Sequence, residues 1–94
     1  MTYRQKGNMA LTDTFVKNVK PNGTAAGQKH SDGQGLYLHV KEAGKYWRLS
    51  YRFDGKQKLL ALGTYPEVSL LKARQRREKA RELVADGIDP GVAK

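Results

Sequence analysis

The sequence predicts an α+β fold: a three-stranded antiparallel sheet packed against a C-terminal α-helix, with a short N-terminal helix. Three observations carry this prediction. Apolar and polar residues alternate between Leu36 and Gly63, Asp54-Gly55 separates two of the alternating runs, and a helical period takes over after Ser69. With 94 residues, the chain is long enough for one compact domain of two packed layers.

Residues 1–10 (MTYRQKGNMA) show no periodicity and read as a flexible arm or an added leader, with Met9 an equally good start. Thr12 is placed to cap a short helix over Asp13–Val19, with Asp13 favourable at its positive end. Pro21-Asn22-Gly23 ends it, and residues 20–28 read as a polar loop. Leu36, Leu38 and Val40 alternate with Tyr37, His39 and Lys41, the pattern of a half-buried strand. In the next run Trp47, Leu49, Tyr51 and Phe53 take one face, and Tyr46, Arg48, Ser50 and Arg52 the other. Asp54-Gly55 is a favoured type I′ turn, so Lys56–Gly63 should pair straight back.

That turn sets Phe53 opposite Lys56, Leu49 opposite Leu60 and Trp47 opposite Leu62. A four-residue loop over Glu42–Lys45 would set Val40 opposite Trp47 and Leu38 opposite Leu49. Both registers gather the apolar residues on one side, whereas a slip of one would scatter them. Val68 and Ser69 read as staple and N-cap of a helix running to about Asp86, where Gly87 and Asp89-Pro90 stop it. Leu70, Ala73, Ala80, Leu83 and Val84 form its apolar stripe. Arg77 falls inside the stripe, with its stem expected to pack and its head to reach the rim or a sheet aromatic. Arg74 with Glu78, Glu78 with Arg81, and Lys79 with Glu82 have the spacing of pairs within the helix.

Charge is the strongest global signal. Eighteen Lys and Arg against nine Asp and Glu give a formal net charge of +9, which favours a polyanionic partner. No stretch approaches the roughly 18 apolar residues of a membrane span, and there is no signal-peptide pattern or cysteine. A cytoplasmic protein is therefore expected, with no membrane partner. His30-Ser31-Asp32 holds the residue types of a hydrolase triad, but sequence neighbours cannot converge as one. Asp32-Gly33-Gln34-Gly35 lacks dinucleotide-loop spacing and reads as the turn into the first strand. Two histidines without ligand spacing make a metal site improbable. No catalytic residue, metal, cofactor or small-molecule ligand is expected.

The outward sheet face is more informative, because its cations, aromatics and short polar side chains come without a carboxylate. The acids Asp32, Glu42 and Asp54 are expected in turns. A β-ribbon fits the major groove, where Arg reads guanine and Gln reads adenine. Arg48 and Arg52 are the leading candidates for base contact, with Tyr37, His39, Ser50 and Gln57 beside them. Lys41, Lys45, Tyr46, Lys56 and Lys58 are phosphate candidates, although the register places Lys58 on the core side. Trp47 and Tyr51 are expected to turn toward the helix. A protein-interaction module and an RNA-binding domain are the competing readings.

Three segments, DGQGLYLHV (Asp32–Val40), the WRLSYR…GK run (Trp47–Lys56) and LGTYPEVSLLKAR (Leu62–Arg74), occur in order. With LTDT near the start and DGIDP near the end, the series resembles the N-terminal domain of phage and genomic-island integrases of the tyrosine recombinase family. The resemblance spans about Leu11 to Pro90. It implies the same sheet-and-helix fold and binding of arm-type DNA repeats by the sheet, in support of site-specific integration and excision. It also implies an anchoring module rather than an enzyme, with residues 91–94 opening a linker to core-binding and catalytic domains. Those domains would supply a Tyr nucleophile assisted by Arg, Lys and His. Other integrase subunits are the implied protein partners, and a bacterial, nucleoid-associated location is implied when DNA is bound.

Overall fold

The computed structural model describes residues 10–92, in the order α1 (Asp13–Asn18), β1 (Gln28–Gly33), β2 (Leu36–Lys41), β3 (Gly44–Phe53), β4 (Lys56–Tyr65) and α2 (Leu70–Ala85). The expected arm over residues 1–10 lies outside the described residues except for Ala10, as do the last two residues of the expected linker. The sheet has four antiparallel strands in the order β1-β2-β3-β4, which corrects the expectation of three. The added strand is β1, whose sequence QKHSDG offers no apolar alternation to betray it. Gln34 and Gly35, both at positive φ (55° and 89°), make the two-residue turn into β2. Asp54 and Gly55 repeat that geometry between β3 and β4, at φ 56° and 75°.

The first expected hairpin is corrected in register. Leu38 pairs with Trp47 and Leu36 with Leu49, because the connection is the two-residue Glu42-Ala43 rather than four residues. The shift is two residues, so every side chain keeps its face. In the second hairpin Phe53 lies opposite Lys56 and Leu49 opposite Leu60, as the turn requires. A bulge then intervenes: Arg48 pairs with Ala61 but Trp47 with Gly63, leaving Leu62 as the extra residue. The orphaned Leu62 carbonyl accepts from Arg76 Nη1 at 2.8 Å.

The helix lies across the inner face. Leu36, Leu38, Val40, Trp47 and Leu49 are buried with Leu62, Val68, Leu70, Ala73, Ala80 and Val16 of α1. Trp47 donates its indole N–H to the Val68 carbonyl at 2.7 Å, which satisfies the polar atom of the largest core side chain. Thr12 Oγ1 caps α1 through the Phe15 N–H, and Ser69 Oγ caps α2 through the Lys72 N–H. At the far end of α2, Gly87 N–H bonds to Val84 and Ile88 N–H to Leu83, the paired bonds of a Schellman stop.

The expectation that Asp32 lies in a turn is also corrected. Asp32 is a buried residue of β1 rather than a solvated turn acid. Arg74 grips its carboxylate with Nε at 2.9 Å and Nη2 at 2.8 Å, Arg77 adds Nη1 at 3.2 Å, and Leu11 N–H donates at 2.8 Å. Arg77 therefore resolves its awkward position by reaching a carboxylate rather than an aromatic. Arg74 is likewise committed to Asp32 and the Leu11 carbonyl rather than to Glu78. Arg77 and Arg81 are the partners of Glu78. Burial alone would raise the Asp32 pKa, but the Arg74 and Leu11 hydrogen bonds and the two guanidinium charges hold it below its ordinary value.

Candidate nucleic-acid interface

Among the described residues, no layer covers one broad face of the sheet. On β2 and β3 the register brings Tyr37 beside Arg48 and His39 beside Tyr46, with Lys41 at the end of β2. On β3 and β4 it brings Ser50 beside Leu59 and Arg52 beside Gln57. β1 contributes Lys29 beside His39 and Ser31 beside Tyr37, and past the bulge Thr64 lies beside Tyr46. Asp32 is the one acid within the four strands, and it points inward. The face is thus cationic, aromatic and free of strand carboxylates.

Its side chains are partly held in place. The Arg48 guanidinium lies 5.7 Å from the Tyr46 ring centroid, and its buried Nε has no hydrogen-bond partner among the described residues. Lys29 Nζ stands 5.6 Å from the Tyr37 ring, and Tyr37 and His39 have centroids 6.4 Å apart. His39 Nε2 donates to the Ala26 carbonyl at 2.7 Å, which leaves Nδ1 as the other polar atom of the ring. Gln57 Nε2 donates to Ser50 Oγ. Arg52 makes only long contacts, 3.4 Å to Gln57 Oε1 and 3.4 Å to the Gly55 carbonyl, which a better acceptor can displace.

Of the sequence-derived candidates, Tyr37, His39, Lys41, Tyr46, Arg48, Ser50, Arg52 and Gln57 share this face. Lys45, Lys56 and Lys58 do not, because they share the opposite face with Trp47, Phe53 and Tyr51. Lys45 Nζ donates to the carbonyls of Val16 at 2.6 Å and Lys17 at 2.9 Å, tying α1 to the sheet by its negative end. Burial and the neighbouring Lys20 lower its pKa. Lys58 is bonded to Asp89, which also accepts from Tyr51 Oη at 2.6 Å. The Asp89 carboxyl falls to about 2, first through the Lys58 and then the Tyr51 hydrogen bond. Lys56 is exposed at the hairpin tip. Lys29 and Thr64 escaped the sequence reading, one because β1 is polar throughout and the other because the bulge shifts β4 by a residue. The Gln34-Gly35 turn was the available signal for β1.

Among the described residues, no group of three or more His, Asp or Glu is arranged to hold a metal, and no helix is long and apolar enough to cross a membrane. The sequence is 64% identical over 60 residues to the protein IntB of Escherichia coli K12, covering 63% of this chain and 15% of that protein. It is 44% identical over 87 residues to the integrase of Enterobacteria phage P4, covering 89% of this chain and 19% of that protein. Prophage integrase IntS of Escherichia coli K12 matches at 48% over 64 residues, 67% of this chain and 17% of that protein. The chain thus spans 15% to 19% of the length of these relatives. A match to the family described as Arm DNA-binding domain covers residues 11–94, every described element included. A sheet face without strand carboxylates and a match of that extent lead to one assignment: the chain belongs to the arm DNA-binding domain family.

Proposed function

We propose that the outer sheet face binds arm-type repeats in double-stranded DNA, and that the domain anchors a tyrosine-type integrase during site-specific integration and excision. The observation that carries this reading is the concentration of Arg48, Arg52, Lys41 and Lys29 on one face without a strand acid. Three strands at about 4.8 Å spacing span about 10 Å between outer strands, which suits a major groove about 12 Å wide. Entry by β2–β4 would leave β1 against a groove wall, with Lys29 toward phosphate. Arg48, Arg52, His39, Ser50, Tyr37 and Gln57 face the base edges in this arrangement, while Lys41 and Tyr46 meet the backbone. The core-binding and catalytic steps, the other integrase subunits and a nucleoid location belong to the same proposal.

The test is a titration against duplexes tiling the ends of the parent mobile element, at two salt concentrations, with random duplex as control. The reading expects particular repeats to bind at least about tenfold tighter than random sequence, a threshold well below the roughly 10³-fold or greater margin typical of specific binding. Arg52→Ala should remove most of that advantage. Equal, salt-abolished binding of every duplex would reject it.

A second reading has its own observation. An open groove of about 550 Å³ between β4 and α2 is lined by Leu60, Leu62, Ala80, Leu83 and Pro90, with Arg76 and Lys79 at its rim. If the domain instead docks a subunit or accessory factor there, affinity for that partner should survive Arg48→Ala and Arg52→Ala but fall with Leu83→Lys.

A further inference from the structure

We infer that Leu59 reads the 5-methyl group of a thymine, giving the face a determinant of sequence preference beyond its arginines. The inference rests on the proposed seating of the sheet in the major groove. Leu59 is the one large apolar side chain exposed on a strand among the described residues, with 59% of its surface accessible. Its position is central: it pairs with Ser50, between the Arg48–Ala61 and Arg52–Gln57 pairs. The β3 side of this hairpin presents Arg48, Ser50 and Arg52, whereas β4 presents Gln57, Leu59 and Ala61. On this face one strand is polar throughout and its neighbour carries an apolar pair.

The chemistry of the groove then selects the ligand. Base edges in the major groove are hydrogen-bond donors and acceptors, with the thymine methyl as their one apolar group. An isobutyl side chain there meets every other base at a desolvation cost and thymine at a gain. Neighbouring groups limit its alternatives. Ser50 Oγ is already bonded to Gln57 Nε2, so the cross-strand partner holds its own polar contact beside Leu59 instead of competing for the same base. Gln57, two residues before Leu59 on the same face, has a second Nε2 hydrogen beside the one given to Ser50, and its amide is the group that reads adenine. Gln57 and Leu59 together suit an A·T-containing step, whereas Arg48 and Arg52 suit guanine.

The experiment begins with selection of the preferred duplex from a randomised library by the wild-type domain. Single thymines of that duplex are then replaced in turn by deoxyuridine, which deletes the methyl and keeps the base pair. Wild type should lose about fourfold in affinity at one position, the equivalent of one buried methyl group. Leu59→Ala should bind the unmodified duplex about fourfold or more weakly and show no further loss with deoxyuridine there. Leu59 is exposed, so the variant should melt with the wild type, and circular dichroism checks this. Sensitivity to deoxyuridine that persists in Leu59→Ala, or its absence at every position in wild type, overturns the inference while leaving arm binding intact. Failure of selection to yield any duplex preferred over random would overturn both.

Discussion

At the scale of single residues, the sharpest distinction is between cations that hold the fold and cations that are free to bind. Arg74 and Arg77 converge on Asp32, whose side chain is 1% accessible. Replacing Asp32 with Asn leaves two guanidinium groups facing a neutral amide. Arg74 keeps 33% of its surface in water and can rehydrate, which places the loss below that of a fully buried pair. Asp32→Asn should cost about 2 kcal/mol in urea denaturation, and a loss below about 0.5 kcal/mol would mean that the cluster stabilises nothing. Arg52, by contrast, has only long contacts. Arg52→Ala should leave stability within about 0.5 kcal/mol of wild type yet weaken binding to a preferred duplex by about 1–3 kcal/mol. The sequence separates these roles poorly. Arg74, Arg77 and Arg81 have ordinary helix spacing, and a partner on β1 cannot be found while β1 itself goes unseen.

At the scale of elements, legibility follows the hydrophobic pattern. β2, β3 and β4 alternate cleanly because one face is buried, and their faces were readable even where the register was off by two. The Glu42-Ala43 turn lacks the Asn-Gly or Asp-Gly signature, so loop length could not be inferred as it could at Asp54-Gly55. β1 turns Gln28, His30 and Asp32 inward, so its inner face carries no apolar signal. That strand widens the outer face and adds Lys29. Lys29→Ala should weaken binding uniformly across sequences and reduce the slope of log affinity against log salt by about 1. An unchanged slope would place β1 away from the phosphates. Gly35 tests the hairpin framework: its φ is 89°, and a Cβ there would run into the Ser50 carbonyl. Gly35→Ala should therefore destabilise the domain by about 1–3 kcal/mol, measured as a lowered urea midpoint.

At the scale of the whole molecule, the cations of α2 and those of the outer sheet face have different surroundings. On α2, Arg74, Arg76, Arg77 and Arg81 are engaged with Asp32, the Leu62 carbonyl, Glu78 and Gln34. Lys29, Lys41, Arg48 and Arg52 of the outer sheet face form no ion pair among the described residues. Acid should expose the structural half of this division. Asp32 and Asp89 are both more acidic in the folded chain than their ordinary value of 3.8, Asp89 falling to about 2. The unfolded chain therefore takes up protons first as pH falls. Their stabilisation is complete above about pH 4 and disappears as pH drops toward 2. The melting temperature should fall across that interval, less steeply in Asp89→Asn, and a pH-independent melting temperature there would remove these carboxylates from the account.

The central claim is that DNA lies on the open sheet face rather than along α2. Amide chemical shifts of the labelled domain, followed during titration with its preferred duplex, test this most directly. The account predicts large changes at Tyr37, His39, Arg48, Ser50, Arg52 and Gln57, with residues 72–82 of α2 little affected. Changes concentrated on α2, with the β3 amides unmoved, would contradict it.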